Sequence, residues 1–276
     1  MQNMKVYFCH LIFVVTAVVV PQKEAVAEGV RVMCKPSVRP TDLPRIRDEE
    51  RTAVEYIRSK EGGSQILDSF FSPGGSNPPC GMSRPELAAI KFYSANGFRI
   101  INGDLRAYSR DPAAKALMRV LFRALVRIAP YRGVVHRGTV LPVPVRDALN
   151  TTGRIHDRGF ISSSTERGVA QTFSGGGQLS QFEGESCRYI GGVSSHLGER
   201  EALCFPLATF RVISAKGGGR VDQPRPGENS PEVTSRSEYK MTLVEGPQNL
   251  EEFEREFDRS CVPALASPGG DVGGSR

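Results

Sequence analysis

Three groups of polar side chains interrupt the apolar runs of this sequence, and together they suit a reaction that passes through a positive centre. Glu199 and Glu201 flank Arg200 where a Gly-rich stretch meets the apolar run Ala202-Leu203-Cys204-Phe205. On an extended segment, residues i and i+2 share a face, which would set the two carboxylates side by side. Like charges that close repel unless a cation, or a ligand becoming one, lies between them. Cleavage of an N-glycosidic bond to ribose develops such a charge, and a carboxylate field would stabilise it. A lone E-x-E also fits a solvated strand edge. Arg137 follows His136 at the end of a run opened by the β-branched pair Val134-Val135. A guanidinium there either snorkels to water or faces an anion, and its planar fork suits a diphosphate. In Gly159-Phe160-Ile161-Ser162-Ser163-Ser164, alternation puts Ser162 and Ser164 on one side of a strand. Serine is a poor strand former, so the triplet points to hydroxyls needed for hydrogen bonding, or to a strand running out into a Ser-rich turn. No G-x-S-x-G frame surrounds these serines, which argues against a hydrolase nucleophile.

Helices come before strands among the elements that must place these groups. Apolar residues at helical spacing predict a helix within 48–60, through Ala53, Val54, Tyr56 and Ile57. Gly62-Gly63 and Ser72 to Pro79 read as loop. Ser83-Arg84-Pro85-Glu86 carries the signature of a capping box with proline in the first turn. A longer helix is predicted from about Pro112 to Ile128, burying Leu117, Val120, Leu121 and Leu125. After Pro130 short strands are predicted at 134–137, 159–163, 187–190, 202–205, 209–213 and 239–244. That order argues α+β, with N-terminal helices packed on a mostly antiparallel, two-sheet β core.

Arg137, then Phe160-x-Ser162-Ser163-Ser164, then Glu199-x-Glu201 resembles the arginine-specific mono-ADP-ribosyltransferase family, the R-S-E class of secreted toxins and ecto-enzymes. The likeness extends over about residues 83–245, including Tyr93-Ser94, Ile101-Asn102, Leu105-Arg106 and Ala170-Gln171-Thr172-Phe173. It implies an ADP-ribosyltransferase-like fold and NAD as substrate, with ADP-ribose passed to an arginine of a target protein and nicotinamide released. It further implies that Arg137 binds the NAD phosphates and that the Gly138 backbone holds the nicotinamide amide. Ser162 would orient Glu201, and Phe173 would stack on nicotinamide. Glu201 would act on the ribose, and Glu199 would position the acceptor guanidinium and take its proton. Two positions depart from the family pattern: Ser163 stands where Thr is usual, and His136 where Tyr is usual. Glu199, where relatives that modify Asn or Cys carry Gln, favours arginine as acceptor. The rival readings are an NAD glycohydrolase and a catalytically silent binding module on the same fold.

The chain has 276 residues, 39% of them hydrophobic, enough for one good core. Residues 1–27 read as a signal peptide: Lys5, an apolar stretch from Val6 to Val20, Pro21, then the small residues Ala25-Val26-Ala27. The stretch is short for a membrane span, so export and cleavage are expected, with no stable membrane insertion afterwards. Residues 28–82 read as an N-terminal extension, 83–248 as the catalytic domain, and 249–276 as a partly disordered tail. Cleavage would leave Cys34, Cys80, Cys187, Cys204 and Cys261 in a compartment that permits disulfides. Cys34 with Cys261 is the first candidate pair, and Cys204 reads as a small buried hydrophobe. The four His residues are scattered and no Cys spacing suits zinc, so no metal is expected. Net charge is +6, but Lys and Arg are dispersed without interleaved aromatics, which argues against nucleic acid. A secreted monomeric toxin or effector is the resulting expectation.

Overall fold

Ser83 starts the central part of the helical half as its sequence predicts. In a computed structural model, which describes residues 32–35, 47–72, 77–107, 109, 111–141, 143–175, 177–216, 237–247 and 250–260, its hydroxyl accepts the Glu86 amide at 3.2 Å. The Glu86 carboxylate accepts the Ser83 amide at 2.8 Å. This box opens α3 (Arg84–Phe92), which continues through a π turn (Tyr93–Gly97) into α4 (Phe98–Arg106). The π turn needs glycine at its end, because a Cβ on Gly97 would lie 2.4 Å from the Phe92 ring. Before them come α1 (Arg47–Arg58) and α2 (Gly63–Phe71), and after them α5 (Pro112–Val126). Helix α2 begins inside the glycine pair read as loop, and its Leu67 and Phe70 are buried.

The second half adds β1 (Val134–Thr139), α6 (Val143–Thr152), β2 (Arg154–Asp157), β3 (Ile161–Ser164), α7 (Arg167–Phe173) and β4 (Gln178–Glu183). Then follow β5 (Cys187–Tyr189), β6 (Glu201–Cys204), β7 (Ala208–Lys216), β8 (Ser237–Glu245) and α8 (Leu250–Ser260). These strands form one hydrogen-bonded sheet in the order β2-β7-β8-β4-β1-β3-β6-β5, where two sheets were expected. Among the described strands only the pair β4–β8 is parallel. The link between its two wings is narrow: β1 matches β4 over six register pairs but β3 only at His136↔Ser164. The two faces of β6 serve different cores. Leu203 joins Ile90, Leu121, Phe122 and Phe160 in the helical core, while Ala202 and Cys204 join Val135, Phe182 and Phe210.

Among the described residues two disulfides are formed, and the first takes Cys34 away from the expected pairing with Cys261. Cys34 bonds Cys80, and Cys187 bonds Cys204. Cys34 lies against the end of α5, with Lys35 donating to the Arg127 carbonyl, and Cys80 sits in the turn before α3. Cys204 is buried as its apolar run suggests, but its register partner on β5 is Cys187. Cys261 and residues 1–27, expected to be a signal peptide, lie outside the described residues. No helix of the described residues is long and apolar enough to cross a membrane.

Candidate active site

Where β1 and β3 part, a cleft of about 940 Å³ opens between the sheet and the π turn. Its volume falls in the range of small-molecule pockets, about 300–1,000 Å³. Arg137, Gly138, Ser162, Phe173, Glu199 and Glu201, dispersed over 65 positions of sequence, all line it. The α3–α4 connection supplies the opposite wall through Tyr93, Ser94, Phe98 and Asn102.

Glu201 is 3% exposed and held at both oxygens. Ser162 donates to Oε1 at 2.8 Å and Ser194 to Oε2 at 3.0 Å. Burial pushes its carboxyl above the ordinary range, the two hydroxyls pull it back, Glu199 adds to the rise, and His196 opposes it. Glu199 is less enclosed, and its carboxyl is also raised by burial, with His196 opposing. The pair is not carried on one extended segment, as the i, i+2 spacing suggested. Glu199 closes a 3-10 turn (Leu197–Glu199), Arg200 takes a left-handed conformation at φ 45°, and Glu201 starts β6. A left-handed non-glycine residue costs of order 1–3 kcal/mol and persists only when its surroundings enforce it. Here the Arg200 carbonyl accepts the Thr165 amide at 3.1 Å, and its guanidinium meets Glu166 at 3.1 Å. The Ser164 hydroxyl secures the Glu199 carbonyl at 2.7 Å. Thus the first and last serines of the triplet both fasten the carboxylate turn, while Ser163 contacts Cys204 Sγ at 3.9 Å.

Arg137 donates from Nη1 to the Ser162 carbonyl at 2.8 Å. That bond ties β1 to β3 beyond their one register pair and leaves other donors of the fork for a ligand. Next to it, Gly138 lets α7 approach: a Cβ there would lie 1.8 Å from the Ala170 carbonyl oxygen. Phe173, at the end of α7, is 58% exposed on the rim of the cleft. His136 is half-buried with its pKa lowered, by burial first and then by Arg167.

Sequence reasoning missed Ser194 and His196, which lie in the loop before the turn and approach Glu201 only through its fold. Their one sequence signal is polarity, Ser194-Ser195-His196, within a Gly-rich loop. Asn102 belongs to the stretch of likeness over residues 83–245. It brackets Phe160, accepting its amide at 2.8 Å and donating to its carbonyl at 3.0 Å, and so fixes the start of the serine strand.

The sequence profile of the NAD:arginine ADP-ribosyltransferase family matches residues 51–223, more than half of the chain. A Mycobacterium avium (strain 104) protein, provisionally named NAD(+)–arginine ADP-ribosyltransferase Mav, is 33% identical over 132 residues. That match covers 47% of this chain and 16% of the other. Exoenzyme T of Pseudomonas aeruginosa is 31% identical over 151 residues, 52% of this chain and 32% of its own length. The chain therefore matches a third or less of either relative. Among solved structures, the ADP-ribosyltransferase HopU1 of Pseudomonas syringae pv. tomato superposes with a TM-score of 0.55 at 17% identity. It aligns over 71% of this chain and 97% of HopU1, a likeness of fold.

Proposed function

Because the chain belongs to the NAD:arginine ADP-ribosyltransferase family, we propose that it transfers ADP-ribose from NAD to an arginine side chain of a target protein. The observation that carries this reading is the buried Glu201, held at both oxygens, two residues from the more accessible Glu199 in one cleft with Arg137. Arg137 binds the diphosphate through its free donors, a charge-assisted pairing suited to its fork. The Gly138 backbone holds the nicotinamide amide, and Phe173 stacks on the ring from the rim. Ser162 orients Glu201, which engages the nicotinamide ribose. The C1′–nitrogen bond breaks with its electron pair going to nicotinamide, which leaves neutral. Glu201 stabilises the positive sugar left behind. A guanidinium nitrogen then bonds to C1′, and its proton passes to Glu199.

Burial suits both carboxylates to these roles by different routes. Desolvation raises the Glu201 carboxyl, and the two hydroxyls oppose that rise by favouring its ionised form. The raised carboxyl of Glu199 is a stronger base than a solvated one. Intact Glu199 favours transfer over simple hydrolysis of NAD. Export and a toxin or effector role belong to the same proposal, supported by the leader-like residues 1–27 and by two disulfides. Incubation with labelled NAD and a cell lysate, followed by mass spectrometry, tests the reading. Label on arginine of a protein is the expected result, whereas free ADP-ribose alone would replace it with the glycohydrolase.

A further inference from the structure

Ser194 holds Glu201 from outside the serine strand, and its own placement is fully determined. It is wholly buried, at 0% exposure. Its amide donates to the Ile190 carbonyl at 2.7 Å, and its carbonyl accepts Lys91 Nζ at 3.0 Å. Its hydroxyl accepts the His196 amide at 3.2 Å, so its single proton goes to Glu201 Oε2 at 3.0 Å. The next residue repeats the tie to the helical half. The Ser195 amide donates to Ser94 Oγ at 2.8 Å, and its hydroxyl donates to the Lys91 carbonyl at 2.9 Å. The end of α3 and the π turn are thus clamped to this loop by three bonds, two from Lys91 and one from Ser94, and the clamp ends on a carboxylate oxygen.

We propose that Ser194 is a second positioning residue for Glu201, set in place by Lys91 and Ser195, so that hydroxyls from β3 and from the loop together fix the plane of the carboxylate. The proposal rests on the reading of Glu201 as the group that acts on the ribose. A carboxylate held at one oxygen can still rotate about its last torsion, which is broad and soft. A second donor on the other oxygen removes that freedom, and it also favours the ionised form against desolvation. The other groups that bear on Glu201 are Glu199 in the turn before β6, His196 just ahead of that turn, and the buried Tyr93 phenol from the π turn. Arg137 stands on β1 across the cleft. Tyr93 gives its one hydroxyl proton to the Phe160 carbonyl at 3.0 Å, so it does not replace the lost donor.

The test compares wild type with Ser194→Ala, Ser194→Cys and Ser195→Ala, reading NAD hydrolysis and arginine labelling across pH. In parallel the Glu201 carboxyl is titrated by carbon-13 NMR, its signal assigned by loss in Glu201→Gln. Ser194→Ala is expected to lower kcat about tenfold with KM for NAD nearly unchanged, the size of one hydrogen bond to a charged group. The acid limb of the pH profile and the NMR midpoint should both move up by about one unit. Ser194→Cys, with a weaker donor, should show a smaller shift in the same direction. Ser195→Ala removes one tie of the loop but keeps the Ser194 hydroxyl, so it should move the midpoint up by less than Ser194→Ala does. An unmoved midpoint in folded Ser194→Ala overturns the proposal, as does an equal shift in Ser195→Ala. If Ser194→Ala does not fold, Ser194→Cys decides by the same midpoint. Wild-type protein that turns over no NAD would instead sink the proposed function, while the titration still decides whether Ser194 holds Glu201.

Discussion

At the scale of single residues, the two carboxylates are expected to separate by function. Glu201→Gln should cut both arginine labelling and NAD hydrolysis by about 10²–10³, the usual loss when an electrostatic stabiliser is removed. Glu199→Gln should lose labelling by about 10²–10⁴ yet keep substantial hydrolysis, because a base for the acceptor is not needed when water attacks. Equal loss of both activities in both variants would refute the division. Stability gives a second readout with a definite sign. The Glu201 carboxyl is raised in the folded state, so folding favours its proton, and that contribution fades as pH rises through the folded value. Glu201→Gln should therefore melt no lower than wild type at neutral pH, with any advantage shrinking toward pH of about 4, the ordinary carboxylate range. Arg137→Ala should weaken NAD binding by about 1.5–3 kcal/mol, measured by calorimetry on folded protein. Unchanged affinity would leave Arg137 as a tie between β1 and β3 through the Ser162 carbonyl. The residues named from the sequence were legible because unusual types interrupted apolar runs. Ser194 was not, since nothing local distinguishes a serine in a polar loop from one that grips a buried carboxylate.

At the scale of elements, the serine strand is placed by the helix beside it. Asn102 on α4 caps both backbone groups of Phe160, the residue just before β3. Asn102→Ala would orphan the buried Phe160 amide, while its carbonyl would keep the Tyr93 hydroxyl at 3.0 Å. One unsatisfied buried donor costs about 1–3 kcal/mol, so melting should fall by roughly 3–10 °C. Turnover should fall with it, because Ser162 stands two residues from Phe160. A variant as stable as wild type would mean that water replaces the amide. Periodicity revealed α1, α3, α5 and the strands whose apolar residues alternate cleanly. It missed β4, where Gln178, Ser180 and Gln181 hide a strand with both faces covered. It missed β2 because Arg154 and His156 face solvent, and only pairing with β7 makes them a strand. The E-x-E spacing misled for a related reason: the left-handed Arg200 breaks the alternation and is enforced by Thr165 and Glu166, neither a local neighbour.

At the scale of the whole molecule, buried contacts run across both boundaries that composition suggested. Ala53 and Ile57 of α1 share the helical core with Leu87 and Ile90 of α3, and so do Phe253 and Phe257 of α8. The Phe253 ring stacks on Phe122 at 4.4 Å and on Phe257 at 5.3 Å, and Phe122 stacks on Phe205 at 4.5 Å. Phe205 directly follows β6, the strand that Glu201 begins, so an aromatic column joins α8 to the far end of the carboxylate strand. The acidic composition of 251–256 hides this, because charge on the outer face of α8 masks two phenylalanines spaced one turn apart. Phe253 is 0% exposed, and truncating such a ring costs about 3–5 kcal/mol. Phe253→Ala should therefore lower the melting temperature by about 10 °C or more. Arg255→Ala, on the exposed face of the same helix, should change it little. NAD hydrolysis by Phe253→Ala should fail at a lower temperature than in wild type, since loosening Phe122 and Phe205 loosens the end of β6. If Phe253→Ala melts and turns over as wild type does, α8 contributes nothing to the core, and a chain ending at residue 248 should be as stable as the full one.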